Sequence, residues 1–348
     1  MHQYAYKWGL IDANYILFRN KAILASKYDK EPIPRHELFS SVLQSFMKLK
    51  YEGDCMYPLY IWDKSPYHKL KTLQAYKADR WVGTDEEYDA LEAEKATASP
   101  LRLIEIIEQQ RKIRLDQANF ETTSYVKNRF INDMGKYGFH SLIKQGYEAD
   151  DLAFFSACQI SELFKQDESN NAVLLTADKD WANFQLPGVD FLSTYNWSNY
   201  YNLTEEFEDV NSKINEASQK LYGRPCRLLR FQYGILEELM HKSHNNACVW
   251  SHRGIKRPEA IARFMNGDTS LIDYQLLHDA YYAMNMLEGT VPGSTETYKH
   301  DTEDLVKQAI DPTNFTYEPG QFTYYCFNNF LDTGFENYFS FVEGFKSI

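Results

Sequence analysis

Residues 7–19 read KWGLIDANYILFR, a short apolar run that ends in Asp12 and passes straight into a segment with helical spacing. A run this short, bounded by charge, suits a buried strand better than a helix. The following NYILFRNKAILAS (14–26) keeps its apolar residues on one helical stripe. A strand that feeds directly into a helix is half of a β-α-β unit. Repetition of that half-unit predicts an α/β domain with a mostly parallel sheet flanked by helices.

The half-unit does recur. YPLYIWD (57–63) is a second apolar run closed by an acid. GFHSLIKQ (138–145) predicts a third strand, and GYEADDLAFFSACQISELF (146–164) opens a helix whose first turn is acidic, as the helix dipole favours. AVLLTA (172–177) predicts a fourth strand followed by DKDWANF, and VDFLST (189–194) a fifth. Between the second and third strands lies a basic, aromatic segment, KSPYHKLKTLQAYKADR (64–80), then an acidic stretch, 81–99, expected to be an exposed loop or mobile helix. PLRLIEIIEQQRKIRLDQA (100–118) starts on a proline suited to a helix N-terminus, and 125–137 predicts further helix. Beyond about residue 205 the apolar spacing is helical. The expected division is therefore a sheet domain over 1–205 and a mainly α-helical C-terminal domain over 206–348.

The bulk properties narrow the classes. No apolar run approaches the ~18 residues of a membrane span, and MHQYAYKWGLID has no leader-type apolar stretch, so neither a membrane partner nor a secreted setting is expected. Cys55, Cys158, Cys226, Cys248 and Cys326 are scattered and odd in number, which suits a reducing cytoplasm. The net charge of −12 argues against a nucleic-acid partner only if charge is spread evenly. It is not: residues 220–263 hold nine Lys and Arg against Glu237, Glu238 and Glu259. Such a stripe attracts phosphates locally whatever the total.

The acids fall in a pattern. Asp12 ends strand one, Asp63 ends strand two, Glu148, Asp150 and Asp151 follow strand three, and Asp178 and Asp180 follow strand four. Ligands of open parallel sheets bind outside the carboxyl ends of the strands, so these positions converge on one rim. Each alone has a plain structural explanation: a helix cap for Asp12 or Asp63, dipole complementarity for Asp150 and Asp151, a solvated turn for Asp178 and Asp180. Together they would repel one another and raise their own pKa values, and a bound hard cation relieves that repulsion. Mg²⁺ or Mn²⁺ takes such oxygen ligands, and one or two ions so held activate water and steady the leaving oxygen in phosphodiester hydrolysis.

GLIDANYILFR (9–19), IWDKSPYHKLKTLQAYKADR (61–80), GYEADDLAFF (146–155) and LLTADKDWANF (174–184) resemble, in order and spacing, the flap endonuclease and 5′–3′ exonuclease family. The match is to its phage type, a group that includes the T-even phage ribonuclease H. The resemblance implies a PIN-like domain with a helical arch, here about residues 75–130, with 81–99 ordering on substrate. It implies that Asp12, Asp63, Glu148, Asp150 and Asp151 form a first metal cluster and that Asp178 and Asp180 begin a second. Lys77 and Arg80 match the basic residues that contact the scissile phosphate. Arg19 and Lys179 are weaker phosphate candidates, and Tyr76 and Tyr15 are candidates for stacking on a base, with core packing the first expectation for Tyr15. The implied activity is metal-dependent hydrolysis of DNA or RNA–DNA hybrids, as in primer removal, replication or repair. The implied partners are DNA with a 5′ flap, nick or end, or an RNA–DNA hybrid, with a single-strand-binding protein or polymerase as protein partners. A monomer is expected.

The resemblance weakens downstream. The family's helix-turn-helix segment corresponds to about 228–265, where Lys242 and Asn245 stand at two expected Asp positions. The second metal would then be weak, absent or completed by Glu237 or Glu238, and duplex binding would rest on Arg253, Lys256 and Arg257. His241, His244, Cys248 and His252 are zinc-type ligands, but four along one helix side do not easily surround a single ion, and phosphate-facing or packed histidines are the first expectation. Two alternatives follow: a catalytically weakened nuclease-fold protein that binds branched DNA, and a PIN-type ribonuclease. The aromatic, acidic NFTYEPGQFTYYCFNNFLDTGFENYFSFVEGF (314–345) is expected to pack as a helical cap or to offer a partner surface.

Overall fold

The computed structural model describes residues 4–64, 83–178, 181, 186–194 and 295–315. Five strands form one sheet: β1 (Tyr6–Asp12), β2 (Cys55–Ile61), β3 (His140–Leu142), β4 (Ala172–Thr176) and β5 (Val189–Ser193). Their order is β3-β2-β1-β4-β5, and every pairing is parallel. The central, mostly parallel sheet expected from the sequence is therefore present. The chain leaves β1 towards β2 and β3 on one side, then crosses back to β4 and β5 on the other. The switch point lies between the carboxyl ends of β1 and β4, where open α/β sheets bind ligands.

Alternation along the strands builds two cores. Ile11, Tyr60, Trp62, Val173 and Leu175 face α1 (Ala13–Tyr28), α2 (Arg35–Glu52) and the inner half of a long helix. Phe46 and Phe130 anchor this side, with ring centroids 4.9 Å apart edge to face, an arrangement aromatic quadrupoles favour. Trp8, Leu10, Leu59, Ile61 and Leu174 face the opposite layer. Gly9 is required by close approach: a Cβ there would lie 2.4 Å from the Cys55 sulfur on the neighbouring strand.

The region between β2 and β3 departs from expectation in two ways. First, α3 (Asp85–Glu94) is an ordered helix within the acidic stretch. A reciprocal capping box starts it: the Glu87 N–H donates to Thr84 Oγ1 at 3.2 Å and the Thr84 N–H to Glu87 Oε2 at 3.0 Å. Ion pairs Arg102–Glu94 and Arg114–Asp85, both 2.7 Å, tie it to the next helix. Second, 100–118 and 125–137 are not separate helices. Residues 100–118 and 125–133 are parts of one 34-residue helix, α4 (Pro100–Asp133), capped by Ser99, and 134–137 lie beyond its end. The α2 segment was not expected as an element at all.

The inner half of α4 is clamped to the body. Asn119 Oδ1 accepts the Ile33 N–H at 2.9 Å, Thr122 Oγ1 donates to the Ile33 carbonyl at 3.3 Å, and Val126 and Phe130 are buried. Along the outer half Leu101, Ile104 and Ile107 are exposed.

The other sheet face carries α5 (Ala149–Gln166), and α6 (Thr295–Ala309) packs with it. Val306 and Ile310 are buried in this core, and Phe315 packs on Trp8, Tyr57 and His140 at 5.5, 5.2 and 4.2 Å between ring centroids. Residues 302–315, placed by sequence in the C-terminal domain, thus complete the second core. The expected boundary near 205 lies outside the described residues. No helix among the described residues is long and apolar enough to cross a membrane.

Candidate metal centre

Asp12 is both the last residue of β1 and the N-cap of α1. Its Oδ1 accepts the Tyr15 N–H at 2.9 Å. Its Oδ2 accepts a hydrogen bond from Thr176 Oγ1, at the end of β4, also at 2.9 Å. The Thr176 hydroxyl in turn accepts the Asp178 N–H at 3.0 Å. One carboxylate therefore spans the switch point.

Asp63 follows β2 by two residues and ties three elements together. Its Oδ1 accepts the Ala149 N–H, the first amide of α5, at 2.6 Å, and its Oδ2 accepts from the Asn14 side-chain amide of α1. The exits of β2 and β3 are held side by side by Trp62 N–H to the Leu142 carbonyl and Lys64 N–H to the Tyr147 carbonyl, each 2.9 Å.

Glu148 is the N-cap of α5, and Asp150 and Asp151 occupy its first turn. Glu148 and Asp151, both buried, form a capping box in which the Glu148 N–H donates to Asp151 Oδ2 at 2.9 Å. Asp150 Oδ1 accepts from the indole N–H of buried Trp181 at 2.8 Å, which joins the β4 exit to α5. The capping explanation and convergence on one rim are thus both realised.

Electrostatics shows how close the acids are. Asp12 is 5% exposed and its pKa stands well above the ordinary carboxylate range. Burial is the largest cause, the Tyr15 N–H opposes it, and the charges of Asp150, Asp63 and Asp178 add to it. Charges from acids at the ends of three neighbouring strands therefore act on Asp12. Their oxygen donors have the chemistry of a hard-cation site. As they stand, no three His, Cys, Asp or Glu side chains among the described residues are gathered into a cage, and protein N–H and O–H groups bond Asp12, Asp63, Asp150 and Asp151.

Other expected site residues divide plainly. Arg19 is exposed on α1, and Tyr15 is half-buried against the first core, the packing role expected first. Tyr76, Lys77, Lys179, Arg80, Asp180, Arg253, Lys256 and Arg257 lie outside the described residues, as do Glu237, Glu238, Lys242, Asn245 and the His241, His244, Cys248 and His252 set. Four residues at the site were not singled out from sequence: Asn14, Lys127, Thr176 and Trp181. Asn14, Thr176 and Trp181 adjoin the acidic motifs, and that adjacency is a usable signal. Lys127 reaches the rim from α4, and only the fold brings it there.

No family model and no curated protein matches this chain. Solved structures of bacteriophage T5 nuclease are similar to it. The T5 5′-exonuclease with bound divalent zinc ions has 17% identity over 98% of each chain, with a TM-score of 0.43. A pseudo-enzyme–product complex of the T5 flap endonuclease with DNA and metal ions has 16% identity over 97% of each chain, with a TM-score of 0.43. The same T5 protein co-crystallised with metal ions has 15% identity over 97% of each chain, with a TM-score of 0.42.

Proposed function

We propose that this chain is a divalent-metal-dependent 5′–3′ exonuclease or flap endonuclease that hydrolyses phosphodiester bonds in DNA or RNA–DNA hybrids. The observation that carries the reading is the burial of Asp12 among Asp63, Asp150 and Asp178 at the switch point. A protein that concentrates charge there without use loses stability, and a cation restores it.

In this reading Asp12, Asp63, Glu148, Asp150 and Asp151 hold a first Mg²⁺ or Mn²⁺, and Asp178 and Asp180 begin a second site. A bound ion would supply a water acidified to hydroxide and a positive charge facing the leaving oxygen. The chain's own groups do the rest. Thr176 and Tyr15 orient Asp12, Asn14 and the Ala149 N–H orient Asp63, and Trp181 orients Asp150. Lys77 and Arg80 offset phosphate charge in the transition state, and Arg19 and Lys179 contact flanking phosphates. Tyr76 stacks on an unpaired base. Arg253, Lys256 and Arg257 grip duplex backbone, without reading sequence and with salt sensitivity. The nuclease domain spans about 1–205 and the helical C-terminal region 206–348, from which Val306, Ile310 and Phe315 pack into the nuclease domain's second core.

The test is release of short products from a 5′-labelled flap or nicked duplex in Mg²⁺ and Mn²⁺. Asp12→Ala and Asp151→Ala should abolish it, and metal-dependent cleavage that survives both overturns the assignment. A second reading is a DNA-binding protein on this scaffold. It is favoured by the full occupation of Asp63 by protein donors and by Lys242 and Asn245 at expected Asp positions. It requires tight, salt-sensitive binding of branched DNA with no turnover in Mn²⁺.

A further inference from the structure

Lys127 lies on the clamped half of α4, 64 residues from Asp63 in sequence, yet its ammonium donates to the Asp63 main-chain carbonyl at 2.5 Å. The same Nζ lies 3.3 Å from Asn14 Oδ1 and 5.8 Å from the centroid of the Trp62 ring. Asn14 is the residue whose amide holds the Asp63 carboxylate. One cation thus grips both the backbone of Asp63 and the partner of its side chain.

We infer that Lys127 is a positioning residue that fixes Asp63, acting through the main chain and through Asn14. The acceptors named are a carbonyl and an amide oxygen rather than a carboxylate, so the direct contacts set geometry, while the Lys127 charge also acts on the nearby Asp63 carboxylate through space. Immobilising a lysine side chain costs rotamer freedom, and two bonds to one site offset it. A compact ammonium can serve two oxygens at different angles, and a planar guanidinium serves them less well. The position also joins the long helix to the carboxylate rim directly.

The contribution of Lys127 to metal affinity rests on the nuclease reading; its control of Asp63 does not. Lys127→Met keeps the apolar stem and removes the donors. In the metal-free full chain, amide exchange read by NMR should quicken about tenfold at Ala149, whose N–H is held by Asp63. Tyr15, whose N–H is held by Asp12, should change less than about twofold, which separates local release from general loosening. Asn14→Ala should give the same pattern, and Lys127→Arg should restore part of it. Unchanged exchange at Ala149, or equal quickening at Tyr15, overturns the inference.

With Mn²⁺ as probe, paramagnetic resonance should show affinity falling on the order of tenfold in Lys127→Met, in line with other residues that support metal ligands. On a flap substrate kcat should fall while KM holds. A rise in KM alone would make Lys127 a substrate contact and overturn the positioning role. A wild-type chain that binds no Mn²⁺ refutes the metal reading, and the exchange experiment still decides the role of Lys127.

Discussion

Thr176 Oγ1 and Asp12 Oδ2 meet at 2.9 Å, and this bond closes the gap between β4 and β1 at the point where the sheet reverses its winding. The same hydroxyl accepts the Asp178 N–H, so one side chain positions a carboxylate and the start of the next loop. Thr176→Val keeps the volume and removes both bonds. It should destabilise the protein by about 1–3 kcal/mol, the range for orphaned buried polar groups. Thr176→Ser should lose much less. Urea denaturation of the two variants checks this, and equal midpoints would refute it.

Asp12 predicts a pH dependence of stability. Its folded-state pKa is raised, so folding favours the protonated form. This contribution is fully present below the unfolded carboxylate range, near pH 4, and is lost as pH rises through the raised folded value. Each unit of elevation corresponds to about 1.4 kcal/mol. Asp12→Asn should therefore flatten the pH profile above pH 4 and raise the metal-free Tm at neutral pH. Mn²⁺ should raise the Tm of the wild type and not of the variant. Thermal melts across pH, with and without Mn²⁺, measure both effects.

The Trp181 indole N–H donates to Asp150 at 2.8 Å from a fully buried ring. Trp181→Phe keeps most of the packing and removes this hydrogen bond to Asp150. Under the proposed function it should lower cleavage about tenfold or more, as loss of a residue supporting a metal ligand does. A far-ultraviolet dichroism spectrum matching wild type, measured beside the cleavage rate, separates this from unfolding.

Gly9 and Cys55 form a coupled pair, because a methyl at Gly9 collides with the Cys55 sulfur at 2.4 Å. Gly9→Ala should cost about 1–3 kcal/mol by overpacking. Adding Cys55→Ala should recover part of that loss, so the double variant is more stable than the sum of the single effects allows. A double-mutant cycle in denaturant gives the coupling directly, and simple additivity would contradict it.

The sheet was legible because its strands are short apolar runs closed by Asp12, Asp63 or the turn before Asp178. The convergence of acids followed from parallel topology alone. The helices between β2 and β3 were harder. Asn119, Thr122 and Thr123 look like an interruption of α4, yet each is buried and bonded: Asn119 to the Ile33 N–H, Thr122 to the Ile33 carbonyl and Thr123 to the Asn119 carbonyl at 2.6 Å. Tertiary partners turned polar residues into acceptable helix interior. The acidic stretch carries α3, started by the Thr84–Glu87 capping box and paired with Arg102 and Arg114 across the hairpin. Lys127 was out of reach, because its role exists only once α4 is laid against the rim.

The two margins of the sheet bear on how the protein behaves at high concentration. An open parallel sheet ends in strands with unsatisfied backbone groups, which invite pairing with other molecules. Here β3 is only three residues long, and the ring of Phe315 covers its first residue, His140. At the opposite margin β5 carries the exposed charge of Asp190, held by the Tyr6 hydroxyl at 2.8 Å. A short, covered strand on one side and a fixed charge on the other resist strand-to-strand stacking between copies. Among the described residues, both margins of the five-stranded sheet thus carry features that disfavour edge-to-edge pairing.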